Sequence, residues 1–543
     1  MLRRRYPYGE NMAVTVHEEA FDLHLGLLET AGPPGMGPWP LLRSLGRAET
    51  RTFRAVVLEN DFLRLTLLPE LGGRIAAIHD RRTGIDILPR PATLEPVEGG
   101  PRGVDMPFGI EVTLDGGPRL NALGPVRVAE AEDGVWLAES VSGNGLSWHL
   151  KVSLPEERAA IGLELRVFNR LPWQEVRCNA GFRVADDAWT FPEGGFHGRW
   201  LDGSTEPGLL CFPLDGAKLR PGLDAYDTVT MKVELVPFSG PGEPWVVGEG
   251  GAVWLHEGTM RIQSAQALSG AKAILLTDGG QTLEAPIDLL PSDPLVIEIG
   301  DLTPVAFLLI DADRRRLIEW NAHPEPPAGD PDFGKELPPM FYQDLSENTL
   351  RRFEYRSGSR AKSLMEKARR AMFSRDYEAA AGLFERSLLF NAENPLAWWG
   401  LAAAGRLAGE KGERPELMNA RWLAPLEPMV RAEIFLSTPV DASADPSGLL
   451  DSLDETPDVF IEVAATLIDH GLWHDAARWL DEALRRHPLG SLHLLAANAH
   501  LEGSGLTMEA ERHFRRFQAL SGPPYPWRPV EMRAKERLQK HFL

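Results

Sequence analysis

The sequence predicts a two-part chain, β-sheet first and α-helix second, on three observations. From about residue 52 to 320, short alternating apolar runs recur between turn clusters, with no amphipathic helix among them. The stretch Asn321 to Pro339 is rich in Pro, Gly and acid and reads as a linker. Beyond about residue 359 the period becomes helical, and side-chain types recur at a 34-residue offset. At 543 residues the chain is too long for one core. It divides into an extension, 1–51, leading into or packing on the β region; the β region, 52–320; a linker, 321–358; and helical repeats, 359–543.

Within the β region the most informative stretch is Leu58 to Leu88, LENDFLRLTLLPELGGRIAAIHDRRTGIDIL. Leu63, Leu65 and Leu67 alternate with Arg64, Thr66 and Leu68, the period of a half-buried strand. Pro69 stops that strand, and Gly72-Gly73 permits a tight turn. A second short strand, Arg74 to His79, precedes another turn at Arg82-Thr83-Gly84. Further strands are expected at Glu111 to Leu114, Val135 to Ser140, Leu146 to Leu154, Ala160 to Phe168, Gln174 to Val184, Gly251 to Leu255, Val296 to Ile299 and Val305 to Ile310. About 270 residues of this pattern exceed one immunoglobulin-like sandwich. The loop Ala31 to Pro40 carries too much Gly and Pro for regular structure.

In the helical region Gly471, Ala476, Leu480 and Ala483 align with Gly505, Ala510, Phe514 and Phe517. The 34-residue offset is the tetratricopeptide (TPR) period, so a TPR-like solenoid is expected. Ala368, Tyr377, Ala380 and Phe384 fit the same template, while the unit after Pro395 degrades around Gly409 to Pro428. Trp399 and Trp473 occupy packing positions, as the pattern has it. Trp398 lies about 100° round the helix from Trp399 and is expected on the surface as a partner anchor. We therefore expect a homodimer that meets through or near the repeats.

A formal charge of −21 excludes nucleic acid and an anionic membrane surface as partners, since both demand clustered Lys and Arg. The two cysteines, Cys178 and Cys211, call for no oxidising compartment and lack metal-site spacing. The N-terminus lacks the apolar run of a signal peptide, and the longest apolar run, Val305 to Ile310, is too short to span a bilayer. A cytoplasmic protein is expected. No phosphate-binding Gly-rich loop, nucleophile elbow or HExxH motif occurs, and no cofactor or metal is expected.

The wording of residues 58–88, "ENdfLrLtllPelGGRI" followed by "D-x-x-T-G-x-D-I-L", resembles the opening strands of the galactose mutarotase-like β-supersandwich. It is most similar to an uncharacterised bacterial branch in which such a domain precedes TPR repeats. The resemblance implies a β-supersandwich over residues 52–320. Its further matches are Gly109-Ile110-Glu111 for a "G-x-E" strand and Asn179-Ala180 followed by Phe191-Pro192 and His197 for a "W-x-N-A" strand and its loop. Arg177 stands where that pattern has Trp, and Arg119-Leu120-Asn121 stand where it has histidine.

Between Arg177 and Asp202 the chain gathers acids, a histidine, arginines and tryptophans, a mixture suited to sugars. Aromatic faces stack on a pyranose ring, while carboxylates, Arg and Asn bind its hydroxyls. The alternative reading makes Glu193 and His197 solvated loop residues and Trp189 and Trp200 core. In the resembled superfamily a carboxylate base and a histidine acid act on one sheet face. That implies Glu111, Glu193 and His197 as catalytic groups, with Arg74, Arg177, Asn179 and Trp200 binding a small carbohydrate. A glycosidase needs two carboxylates about 5–5.5 Å apart for retention or about 6.5–9.5 Å for inversion. In the strand around Trp148 and His149 the two side chains point to opposite faces, and either is expected in core or solvent. The function expected is a carbohydrate-active enzyme of glycoside hydrolase or aldose epimerase type, acting at the anomeric centre. The alternative is a non-catalytic carbohydrate-binding or sensing scaffold whose repeats bind protein.

Overall fold

The computed structural model describes residues 14–31, 39–88, 92–114, 119, 121–140, 146–170, 176–177, 181–184, 187–189, 197–200, 208–214, 222–223, 226–238, 244–248, 251–322, 347–410, 414–438, 450, 458–520 and 528–543. Its N-terminal region is β-rich and its C-terminal region helical, as the change of period predicts. Strand structure begins at Thr15, ahead of the expected position 52. Thr15–Thr30 and Leu42–Glu59 form a long antiparallel pair, in register from Thr15↔Glu59 to Thr30↔Leu42.

Two large sheets organise residues 15–238. The first runs in spatial order Thr15–Thr30, Leu42–Glu59, Leu63–Leu68, Arg74–Asp80, Ile110–Thr113, Gly181–Val184 and Asp187–Trp189, with Ile85–Asp86 beside Arg74–Asp80. The second runs His197–Trp200, Gly208–Leu214, Thr228–Phe238, Ile161–Asn169, Leu146–Ser153, Gly134–Ser140 and Arg127–Ala131. One apolar cluster draws on both sheets: Leu58, Leu63, Leu65, Ile78, Ile110 and Val112 from the first, and Leu137, Trp148, Leu150, Leu163, Leu165 and Val233 from the second. The alternation that marks these strands in the sequence is thus the alternation between this core and the two outer faces.

Residues 246–321 form a smaller unit with its own core. Its two four-stranded sheets sandwich Val253, Ile262, Leu275, Ile287, Phe307, Leu309 and Ile318. Arg82 ties this unit to the first two sheets. Its guanidinium is held by buried Asp80 at 2.7 Å and donates to the carbonyls of Pro237 and Pro291. Asp80 also accepts from the backbone N–H of Arg82, and its own carbonyl accepts from the N–H of Gly84. The "D-x-x-T-G" wording is therefore a turn that doubles as an inter-unit clamp.

Ten helices are found among the described residues: α1 (Glu347–Phe373), α2 (Tyr377–Leu388), α3 (Pro395–Ala408), α4 (Pro415–Leu423), α5 (Pro428–Ser437), α6 (Asp458–Asp469), α7 (Trp473–Arg486), α8 (Gly490–Ser504), α9 (Thr507–Ala519) and α10 (Pro529–Phe542). The first helix begins before residue 359. The aligned small and large positions are all buried: Ala476, Leu480 and Ala483 in α7, and Ala510, Phe514 and Phe517 in α9. Gly471 and Gly505 both adopt left-handed φ, 72° and 65°, where the chain leaves one helix for the next. Trp399 and Trp479 are fully buried. Trp398 corrects the expectation of an exposed anchor: it packs against the helical core and donates Nε1–H to the Ala392 carbonyl at 2.8 Å. Among the described residues the exposed tryptophan is Trp422, at 81%. No described helix is long and apolar enough to cross a membrane.

The helical array covers the outer face of the second sheet. Trp136 and Ala138 pack on Leu426, and Tyr226 joins the helical core. Asn394, whose carboxamide oxygen caps α3 by accepting from Leu396 and Ala397 N–H, donates from Nδ2 to the Tyr226 carbonyl at 3.4 Å. Arg166 donates to the Leu423 carbonyl at 2.5 Å. Arg170 pairs with Glu427, which caps α5 by accepting from Met429 N–H. The side chains that cap α3 and α5 thus also reach sheet residues, each through its other polar atom.

Candidate functional site

Arg74 and Glu111 are the two sequence-nominated residues whose side chains are described, and the fold brings them together. Gly72 and Gly73 turn the chain at φ 73° and 70°, which aims the Arg74 strand back along its neighbour. A Cβ at Gly72 would lie 2.5 Å from the Ala122 carbonyl oxygen, so the loop 121–124 can close over this turn only because the residue is glycine. In the strands, Ile75, Ile110 and Val112 face the shared core. Arg74 and Glu111 therefore face the other side of the first sheet, beside Leu71, Ala76, Met106 and Phe108.

There the guanidinium meets the Glu111 carboxylate at 3.1 Å, both side chains being sealed from solvent. Arg74 also donates to the carbonyls of Leu71, Met106, Phe108 and Ala122, at 2.9, 2.7, 3.2 and 2.8 Å, and lies over the Phe108 ring at 4.4 Å. One side chain thus gathers three loops around Glu111. A planar fork of fixed donors suits this task; an ammonium does not.

Arg119, which the sequence marked only as a departure from the resembled pattern, extends the cluster to the second sheet. It donates to the carbonyls of Val112 and Gly72, pairs with Glu139, and lies over the Trp148 ring at 4.6 Å. Glu139 in turn accepts Trp148 Nε1–H at 3.0 Å. Burial lowers the Arg119 guanidinium to about 10, against the pull of Glu111 in the opposite direction. Only its position between short strands in a Gly-rich stretch hinted at this role in the sequence. Asn60, in the "EN" of the resembled motif, also proves to be a tie: Nδ2 donates to the carbonyls of Pro155 and Arg158 while Oδ1 caps the turn at Phe62 and Leu63.

The remaining nominated residues are described by backbone alone or lie outside the described residues. Asn179 and Glu193 belong to the latter. Arg177 lies in the two-residue strand Val176–Arg177, paired with Gly222–Leu223. His197 and Trp200 begin and end an edge strand of the second sheet, opposite Cys211 and Gly208. Along the first sheet, Glu111 pairs with Arg183, in a strand that begins two residues after Asn179. Trp148 and His149 do point to opposite faces. His149 is fully buried against the helical array, edge-on to Phe168 at 5.1 Å, with its imidazole held well below the usual value by burial and by Arg127, Arg170 and Arg166.

A groove of about 770 Å³ runs between α1, α8 and α10. Arg369, Arg533, Arg537 and Lys540 line it with Asp469, Glu502 and Glu536, and Trp473 forms part of the wall. Asp469 bridges it, accepting from Arg533 at 2.8 Å; burial lifts the Asp469 carboxyl to about 6.

Residues 43–207 match DUF5107, a domain of unknown function. Among solved structures, a TPR-domain containing protein from Parabacteroides distasonis aligns over 95% of this chain and 98% of its own, at 13% identity and a TM-score of 0.28. MamA protein aligns over 34% of this chain and 97% of its own, at 14% identity and a TM-score of 0.16. A 4-α-glucanotransferase from Thermococcus litoralis aligns over 36% of each chain, at 15% identity and a TM-score of 0.18.

Proposed function

We propose that the β region, as a galactose mutarotase-like supersandwich, binds a carbohydrate and acts at its anomeric centre. Glu111, Glu193 and His197 supply the acid–base groups, and Arg177, Asn179 and Trp200 hold the sugar. In this reading Arg74 binds Glu111 from behind and orients it, rather than touching the sugar directly. The observation that carries the proposal is the pairing of the Glu111 strand with Gly181–Val184, flanked in sequence by Asn179 and by the segment leading through Glu193 to His197. In sequence that segment leads on from the edge of the first sheet to His197–Trp200, which opens the edge of the second. A carboxylate and an imidazole suit the chemistry: one removes the proton of the anomeric hydroxyl while the other protonates the ring oxygen as its bond to the anomeric carbon breaks.

A thermal-shift screen of the full chain against mono- and disaccharides tests this, because a bound ligand raises the melting temperature by mass action. The expected result is a saccharide-specific rise that Glu193→Gln and His197→Ala each diminish. A shift unaffected by both substitutions would remove these residues from the site.

The second reading, a binding scaffold without catalysis, rests on the groove of the helical array, whose mixed charges and Trp473 wall suit an extended peptide. A saccharide that stabilises the chain without being turned over would favour it. With either reading we propose a homodimer meeting near the helical repeats, with Trp422 and its neighbour Met418, 64% exposed, as apolar anchors. Light scattering of the full chain and of Trp422→Ala tests it; a full-length monomer at micromolar concentration would defeat it.

A further inference from the structure

The turns between α7, α8 and α9 bring together a group of side chains that the β region does not involve. His493 and His500 are seven residues apart on α8 and so share one face of that helix. His513 projects from α9 and Asp481 from α7 toward the same face. His500 Nε2 is 3.4 Å from Asp481 Oδ1, and the His500 and His513 rings lie parallel, 5.6 Å apart at an interplanar angle of 5°. One donor atom from each of Asp481, His500 and His513 falls within 4.8 Å of the other two. Behind them, His493 Nδ1 sits 2.9 Å from His513 Nδ1.

We propose that this cluster is a site for a divalent transition-metal ion, zinc being the reference case, with Asp481, His500 and His513 as ligands. Imidazole and carboxylate together select zinc and its neighbours over magnesium or calcium, which prefer oxygen alone. Tetrahedral zinc with bonds of about 2.0–2.1 Å needs donors roughly 3.3 Å apart, so the widest separation closes by up to about 1.5 Å around the ion. Asp481 is exposed and flexible enough to supply most of that movement, while His513 is buried and fixed.

His493 is a positioning residue. For His513 to bind through Nε2, its Nδ1–H must donate to His493 Nδ1, which fixes the His513 tautomer and ring plane as outer partners of ligating histidines do. The competing group is Arg512, whose Nη2 lies 3.5 Å from His513 Nε2. It is mostly exposed and already paired with Glu509 at 2.6 Å, so it yields to a metal at little cost.

The test is titration of untagged, EDTA-treated full-length protein with Zn²⁺, read by calorimetry and by melting temperature. One zinc per chain, a raised melting temperature and at least tenfold weaker binding in Asp481→Asn and His500→Gln are expected. Arg512→Ala should bind more tightly. Both ligand variants are checked for the wild-type melting temperature without metal, which separates lost ligation from lost folding. With Co²⁺ as a spectroscopic stand-in, His493→Gln should weaken binding about 10–100-fold and alter the visible bands. No binding at 100-fold molar excess overturns the proposal, as does a single zinc whose affinity Asp481→Asn and His500→Gln leave unchanged.

Discussion

Arg170 at the end of the strand Ile161–Asn169 and Glu427 at the start of α5 form an ion pair in which neither side chain is more than 2% exposed. Arg170 also donates to Ser147 Oγ at 3.0 Å and lies 3.7 Å from Glu462 on α6. Glu462 is shared with Arg528, at 2.8 Å. The β region and the helical array therefore meet through a buried charge network rather than a simple apolar seam. Such a network tolerates the loss of a partner poorly, because the charge left behind has no water to turn to.

Glu427→Gln is the cleanest test of that network, since the carboxamide oxygen can still accept from Met429 N–H and keep the α5 cap. The substitution removes only the charge facing Arg170. It is expected to cost about 3–5 kcal/mol and to split unfolding by calorimetry into separate transitions for sheet and helices. An unchanged thermogram would show that the interface does not depend on the pair.

Asp458, at the first turn of α6, gives the same interface a pH dependence. Burial raises its carboxyl to about 7, although Arg127 and Arg528 pull the other way. The unfolded chain releases this proton near pH 4, so between about 4 and 7 the folded state binds more protons than the unfolded. The contribution of Asp458 to stability is therefore fully present at low pH, falls as pH rises toward 7, and is level above that. Glu531, raised to about 7 mainly by burial, acts in the same direction. Asp458→Asn should melt close to wild type at pH 4.5 and several degrees above it at pH 8. Parallel melting curves across that range would count against the assignment.

Arg74→Met leaves four backbone carbonyls without this donor and takes from buried Glu111 the guanidinium it meets at 3.1 Å. A loss on the order of 3–5 kcal/mol is expected by urea unfolding. Arg74→Lys should recover little, since three donors on a single nitrogen cannot reach four carbonyls and a carboxylate. Rescue by lysine would mean that charge alone matters at this position.

Gly72 and Gly84 have the same left-handed φ, 73° and 74°, in different surroundings. An alanine Cβ at 84 meets nothing within 4 Å, whereas at 72 it would strike the Ala122 carbonyl. Gly84→Ala should cost about 1 kcal/mol from backbone strain alone. Gly72→Ala should cost clearly more, or shift the 121–124 loop; chemical denaturation of both variants reads the difference. Equal losses would show that the loop yields.

Much of the fold is legible in residue order because strands and repeat helices are local patterns. Leu63 to Leu68, the turn at Gly72-Gly73, and the buried Ala476, Leu480, Ala510 and Phe514 follow from period and from small or apolar character. The early strand Thr15–Thr30 was illegible for the opposite reason. Its Glu, His and Asp residues are largely exposed and mask an apolar face that only its second half buries, at Leu23, Leu25 and Leu27. Of the candidate site, the Glu111 strand was legible and its ion pair with Arg74 was not, since the two are 37 residues apart. Trp398 misled because a helical wheel marks direction from one axis and cannot show the Ala392 carbonyl waiting beside it.

By itself, then, the sequence determined that a β-rich region precedes a helical one, and that the chain carries a large negative charge, all properties of neighbouring residues or of their sum. Only the tertiary structure decided which charges are buried together. Arg119 with Glu139 and Trp148, Arg170 with Glu427, and the three histidines of α8 and α9 with Asp481 are set by how elements cross in space. The reason is physical: periodicity reports which face of an element avoids water, whereas the partner of a buried charge is chosen by whichever other element packs over it.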